Sequence, residues 1–259
     1  MAMATIEALR NMCGLQKTVS SQVYQGGLFA AGNPLPPLST YTWQQISSVS
    51  AVQSAERRIP MSHSSPISTA SQDMLLARLQ ETTDALGKLT ERVPEISKLG
   101  HTIVRSLAKG GTLFTAGNGG SAAQALHLTE ELIGRYKKTR PPIRSVCLAS
   151  EASAMTCIAN DFGFDAVFER PLRGLARPDD VLLILSTSGN SSNIVQALVA
   201  AREMKIPTLG LLGRDGGTAL EHCDQAIIVD GENSATIQDA HQVIIHLLCE
   251  LIENTDSDG

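Results

Sequence analysis

The sequence predicts an α/β fold: a three-layer sandwich in which a five-stranded parallel sheet is flanked by helices and preceded by N-terminal helices. Three observations lead there. From residue 112 onward, short apolar runs alternate with amphipathic stretches, the rhythm of strand, loop and helix that right-handed crossovers wind into a parallel sheet. Val181-Leu-Leu-Ile-Leu185 is apolar without interruption, as a strand covered on both faces must be. The turns that follow two of the candidate strands are rich in Gly, Asn and Ser, residues suited to tight backbone and helix starts.

The elements follow in order. Leu75, Leu76, Leu79, Leu86 and Leu89 recur at helical spacing from about Ser71. Pro94 opens a second helix with Ile96, Leu99, Ile103, Val104 and Leu107 on its apolar face, and Lys109-Gly110-Gly111 closes it. Strands are expected at Thr112–Ala116, Arg144–Leu148, Val181–Ser186, Thr208–Leu212 and Ala226–Val229. Helices are expected at Ser121–Arg135, Ser153–Asn160, Ala166–Ala176, Ser192–Met204 and Ala235–Glu253.

The chain has 259 residues, 42% of them hydrophobic and 18% charged, enough apolar material for a packed core. Its net charge of -5 argues against a nucleic-acid surface, which needs a basic face. No apolar run reaches the ~20 residues that cross a bilayer. The five cysteines are scattered and include no C-x-x-C pair, so a reducing compartment fits better than a disulfide framework. Residues 1–60 carry a net charge of +2, are rich in Ser, Gln, Gly and Pro, and lack sustained periodicity. Three readings of them stand open: an unstructured extension, an organelle transit peptide, or residues upstream of a true start at Met61. Residues 61–259 then form one domain that begins with a helical hairpin.

Ligands of a parallel sheet collect beyond the carboxyl ends of its strands. Two loops there are candidates for holding a phosphate: Gly117-Asn118-Gly119-Gly120-Ser121 and Ser186-Thr187-Ser188-Gly189-Asn190-Ser191. Glycine permits close backbone approach, hydroxyls donate hydrogen bonds, and the following helix supplies free N–H groups and a positive dipole end. Either loop alone is better explained by ordinary turn and cap chemistry; two in one sheet shift the balance towards an anion site. Neither contains the Lys of a triphosphate loop, and G-x-G-x-x-G is missing. A single phosphoryl group on a small molecule fits best.

His127 and Glu131 are four residues apart on one helical face. In the last helix Gln238 and His246 lie roughly 80° apart, close enough to serve one site, whereas His241 points about 140° from His246. Imidazole, carboxylate and amide oxygen are all acceptable metal donors. His246 interrupts the apolar run Val243–Leu248 and, taken without a partner, reads more readily as a hydrogen-bonded core histidine than as a ligand. Lys137-Lys138-Thr139-Arg140 reads as a solvated loop.

Taken together, these segments resemble the sugar isomerase (SIS) family, a flavodoxin-like fold, and within it the phosphoheptose isomerases. The resemblance runs from about Ser71 to Glu253. It is carried by Ala-Gly-Asn-Gly-Gly-Ser (116–121), Glu-Glu-Leu-Ile-Gly-Arg-Tyr (130–136), Ala-Asn-Asp-Phe-Gly-Phe (159–164), Leu-Ser-Thr-Ser-Gly-Asn-Ser (185–191), Gly-Arg-Asp-Gly-Gly (213–217) and Ile-Gln-Asp-Ala-His (237–241). It implies that Asn118, Gly119 and Gly120 line a sugar-phosphate site with Asn160 and Asp161 from the neighbouring strand-end loop. Ser186, Thr187, Ser188 and Ser191 would hold the phosphate. His127, Glu131, Gln238 and His246 would bind one zinc per subunit, with Glu131 also the catalytic base, His246 the acid, and Glu131 and Gln238 touching substrate.

The resemblance further implies a cytoplasmic homotetramer whose sites borrow residues from adjacent subunits, Arg135 among them. The implied reaction converts sedoheptulose 7-phosphate to D-glycero-D-manno-heptose 7-phosphate, the first step of nucleotide-activated heptose synthesis for cell-surface polysaccharide. No nucleic-acid or membrane partner is implied. Three positions depart from the family's pattern: Gln124 stands where many members carry Asp, and Thr236 and Asp239 replace the common Arg and Glu beside Gln238. The alternative is a non-catalytic SIS protein that binds a sugar phosphate or associates with a replication initiator. Such relatives lack the acid/base pair, which Glu131 and His246 supply here.

Overall fold

The computed structural model describes residues 68–255; the extension over residues 1–60 lies outside the described residues. Helix α1 (Thr69–Lys88) starts at Ser68, whose hydroxyl accepts the Ser71 N–H at 3.2 Å, an N-cap that satisfies one of the free donors of the first turn. A 3₁₀ turn (Leu89–Arg92) leads into α2 (Val93–Ala108), with Pro94 in the first turn and Gly110 at φ 82 just past the end. There follow β1 (Leu113–Gly117), α3 (Gly120–Ile133), β2 (Ser145–Cys147) and α4 (Ala152–Phe162). After α5 (Glu169–Leu175) come β3 (Val181–Ser186), α6 (Ser192–Glu203), β4 (Thr208–Gly213), α7 (Gly217–Leu220), β5 (Gln225–Val229) and α8 (Ser234–Thr255).

The five strands are all parallel in the order β2-β1-β3-β4-β5. Strand β3 alternates its side chains between two cores. Leu183 and Leu185 join Leu99, Ile103, Leu128, Leu132, Ile244 and Leu248 from α2, α3 and α8. Leu182 and Ile184 join Phe168, Leu172, Ile194 and Leu198 from the α5 and α6 side. A strand with period-two side chains buried on both faces can only be apolar throughout, which accounts for its composition.

One predicted helix divides. Instead of Ala166–Ala176, the chain forms a 3₁₀ turn at Phe164–Ala166 and then α5, with Val167 and Phe168 fully buried between them. Pro171 explains the shift: it lacks an N–H and is tolerated in a first helical turn but not in an interior, so the helix starts at Glu169. The second difference concerns α1. Leu86 and Leu89 pack on the core as their spacing predicts, yet Leu75, Leu76 and Leu79 stay exposed, at 56%, 64% and 64%. Among the described residues no helix is long and apolar enough to cross a membrane.

Candidate active site

Strands β1 and β3 are neighbours, Gly117 beside Leu185, so the two candidate phosphate loops emerge side by side. This is the switch point of the 2-1-3-4-5 order, where chain connections diverge and leave a crevice. Asn118 and Asn193 lock the loops together: each side-chain amide donates to the other's carbonyl, at 2.8 and 2.9 Å. Both α3 and α6 therefore aim their N-termini at the same crevice, a place for an anion. Gly119, at φ 54 and ψ -121, adopts backbone closed to other residues.

The second loop is braced from below. Ser186 is buried and its hydroxyl accepts the Gly189 N–H at 3.0 Å. Gly189 has φ +66, and a Cβ there would stand 1.9 Å from the Gly216 carbonyl oxygen. Its own carbonyl accepts the Ala219 N–H at 2.8 Å, and Asn190 Oδ1 accepts the Thr218 N–H at 3.0 Å. The Gly-Arg-Asp-Gly-Gly segment thus supports the loop by backbone contact. Helix α7, which starts on the last glycine of that segment, escaped sequence reading because four residues carry no periodicity. The Thr187 hydroxyl lies 3.2 Å from that of Ser234, and Ser188 accepts the Asn190 N–H at 3.2 Å. Ser191 is the N-cap residue of α6, but its hydroxyl makes no capping bond.

Asn160 and Asp161 sit elsewhere than expected. They occupy the last turn of α4, exposed, rather than a strand-end loop, since β2 ends at Cys147. Asn160 donates to Asp161 at 2.7 Å.

Helices α3 and α8 face each other through a ladder of polar contacts. The Gln238 amide lies so close to Gly120 that a Cβ there would meet it at 2.5 Å. One turn on, Gln124 Nε2 donates to the Gln238 carbonyl at 2.7 Å and approaches Gln242 Oε1 at 3.5 Å. Next, His127 Nε2 and His246 Nε2 stand 3.2 Å apart, and His127 Nε2 is 3.4 Å from Glu131 Oε1. Donor atoms of His127, Glu131 and His246 all fall within 4.8 Å of one another. Tetrahedral metal bonds of about 2.0–2.1 Å put neighbouring donors about 3.3 Å apart, so these side chains fit one ion.

The amide beside His246 in this chain is Gln242, at 3.1 Å, while Gln238 reaches the phosphate loop. Spacing could have found Gln242, since it precedes His246 by one turn. Tyr136 was also missed as a site neighbour; its ring stacks on His246 with centroids 5.7 Å apart. Cys249 is buried nearby, and burial, with Glu131 as the next cause, pushes its pKa up to about 12. His241, pointing away from His246, is fully buried.

A carboxylate and an imidazole from two distant segments thus share one cluster, two helical turns from a crevice built for an anion. Comparisons with known proteins agree with that arrangement. Residues 79–213 match the SIS domain family. The phosphoheptose isomerase of Pelobacter propionicus is 45% identical over 160 residues, 62% of this chain and 85% of that one. That of Rhodospirillum rubrum is 42% identical over 183 residues, 71% of this chain and 97% of its own length. Among solved structures, phosphoheptose isomerase from Neisseria gonorrhoeae superposes with a TM-score of 0.67 at 34% identity, covering 71% of this chain and 98% of that one. The chain belongs to the SIS domain family, and within it to the phosphoheptose isomerases.

Proposed function

We propose that this protein is a sugar-phosphate isomerase that converts sedoheptulose 7-phosphate to D-glycero-D-manno-heptose 7-phosphate, supplying nucleotide-activated heptose synthesis. The observation that carries the reading is the convergence of Glu131 and His246, within 4.8 Å, beside a phosphate crevice. Gly120 and His127 are separated by two turns of α3, about 10 Å, a distance that an extended sugar phosphate can bridge. Ser186, Thr187, Ser188 and Ser191 hold the phosphate at the N-terminus of α6. Asn118, Gly119, Gly120 and Gln238 line the sugar nearest the loop, with Asn160 and Asp161 at its edge.

The chemistry is a proton shuttle with no net change in composition. The Glu131 carboxylate removes a proton from C1, beside the C2 carbonyl, and the electron pair forms the C1–C2 double bond of an enediol(ate). His246 delivers a proton to the carbonyl oxygen as charge develops there. Return of the proton from Glu131 to C2, while the C1 hydroxyl proton passes to His246, leaves the aldose and restores both groups to their starting protonation. Tyr136 stacked on His246 limits the freedom of the imidazole, and the 16% exposure of the Glu131 side chain keeps water from competing for its proton.

His127, Glu131 and His246 would hold one zinc per subunit; Gln238, the fourth donor that the resemblance implies, stands at the phosphate loop, and Gln242 is the amide beside His246. When bound, the ion would stabilise negative charge on the substrate oxygens.

We further infer a homotetramer in the cytoplasm. Leu75, Leu76 and Leu79 on α1, Leu126 and Ile133 on α3, and Val243 and Leu247 on α8 are exposed in the single chain, and a self-association interface would cover such apolar surface. Arg135 is also exposed, beside α3, where a neighbouring subunit's site can take it up. Cys147, Cys157, Cys223 and Cys249 are free, in keeping with a reducing compartment. The catalytic unit is the single domain over residues 61–259.

The test is turnover on a panel of six- and seven-carbon ketose and aldose phosphates. Sedoheptulose 7-phosphate is expected to lead the panel, with Glu131→Gln and His246→Ala folded but inactive. Turnover at the wild-type rate in both variants would refute the assignment. Metal analysis of protein prepared without chelator or tag-derived metal checks zinc separately.

A further inference from the structure

Arg140 does not lie in a solvated loop. Its side chain is 8% exposed, and its Nε donates to Glu253 Oε1 at 3.1 Å; the Glu253 side chain is 3% exposed. The rest of the guanidinium turns to the end of α3: Nη1 donates to the Leu132 carbonyl at 2.7 Å and Nη2 to the Glu131 carbonyl at 2.8 Å. Those carbonyls belong to the last helical turn, where oxygens lack intrahelical partners. A planar cation with forked donors matches them as a lysine cannot. Glu253 in turn accepts the backbone N–H groups of Tyr136, Lys137 and Lys138 at 3.3, 3.1 and 3.0 Å. Burial alone would raise the Glu253 carboxyl, but these donors and Arg140 hold it below the usual carboxylate range.

The positions matter as much as the bonds. Glu253 lies seven residues beyond His246 on α8, which returns it to nearly the same helical face, about 20° away. Arg140 grips the carbonyl of the residue whose side chain is the base. One ion pair therefore joins the end of the helix that carries Glu131 to the helix that carries His246, as the last rung of the α3–α8 ladder. The same carboxylate anchors Tyr136, which stacks on His246.

We propose that Arg140 and Glu253 form a positioning clamp that sets the separation and orientation of Glu131 and His246 for proton transfer, a role that rests on the acid/base reading above. Neither residue touches substrate. Proton transfer depends steeply on distance, and displacement of a reacting group by about 1 Å costs about 10²-fold in rate. Loss of the clamp thus falls on the chemical step and spares the phosphate crevice at the other end of α3.

The full-length protein tests this with Arg140→Lys, which keeps the cation but gives up the fork, and Glu253→Gln, which keeps the shape but not the charge. Both are assayed with sedoheptulose 7-phosphate alongside thermal unfolding. Each variant that folds is expected to hold KM within about threefold of wild type while kcat drops about tenfold or more. The double variant should fall no further than about twofold below the worse single one, because both substitutions break one device. A kcat within about twofold of wild type in a folded variant overturns the clamp, as does a loss that appears in KM. Glu131→Gln separates the two levels. Wild-type turnover there removes the acid/base reading and the clamp with it, whereas an inactive Glu131→Gln beside fully active clamp variants refutes the clamp alone.

Discussion

Acidification tests how the α8 core is built, through His241. The imidazole is 0% exposed, and burial pushes its pKa down to about 4, against an ordinary 6.5, outweighing the Leu212 backbone, which acts the other way. Between those values the unfolded chain binds a proton that the folded chain excludes. Stability from this group is therefore complete above about pH 6.5 and is lost as the pH falls toward 4. The whole difference is worth about 3 kcal/mol, of which about 2 kcal/mol disappears between pH 7 and pH 5. Other carboxylates and histidines titrate in the same range, so the measurement is a difference. Urea unfolding of wild type and His241→Leu, at several pH values and one protein concentration, isolates it. The leucine variant should lose about 2 kcal/mol less than wild type over that interval. Parallel pH dependence in the two proteins would mean that His241 is hydrated or charged in the folded state, contrary to its burial.

Two further outcomes follow from the geometry. Gly189→Ala would place a Cβ 1.9 Å from the Gly216 carbonyl oxygen at φ +66, and left-handed backbone alone costs about 1–2 kcal/mol. It should lower the melting temperature and raise KM for the phosphate ester about tenfold or more; unchanged values would show that the loop is not braced by that contact. Replacing Leu75, Leu76 and Leu79 together with Ser should reduce the mass seen by light scattering at micromolar concentration, because exposed leucines contribute little to the fold of one chain. An unaltered assembly would place the interface elsewhere.

The fold was legible because its signals are local. The unbroken apolar run of β3 and the glycines after β1 each report on backbone a few residues long, and the strands fell within one residue of prediction. So did the pairing of His127 with Glu131, since residues four apart on a helix must share a face. Pro171 was a local signal passed over: its missing N–H forbids the single helix expected across residues 166–176.

Contacts between helices were decided only by packing. Periodicity names the face of α8 that bears Gln238, Gln242 and His246, but the register of α8 against α3 selects which amide stands beside the imidazole. The same holds for Arg140, which has the composition of a solvated turn and is buried because Glu253, 113 residues away, supplies a charge to meet it. Helical spacing predicts that Leu75, Leu76 and Leu79 align with Leu86, yet it cannot say that the core ends before reaching them. Sequence determines which residues share a surface; what covers that surface depends on chain segments far apart, and their meeting is a property of the folded whole.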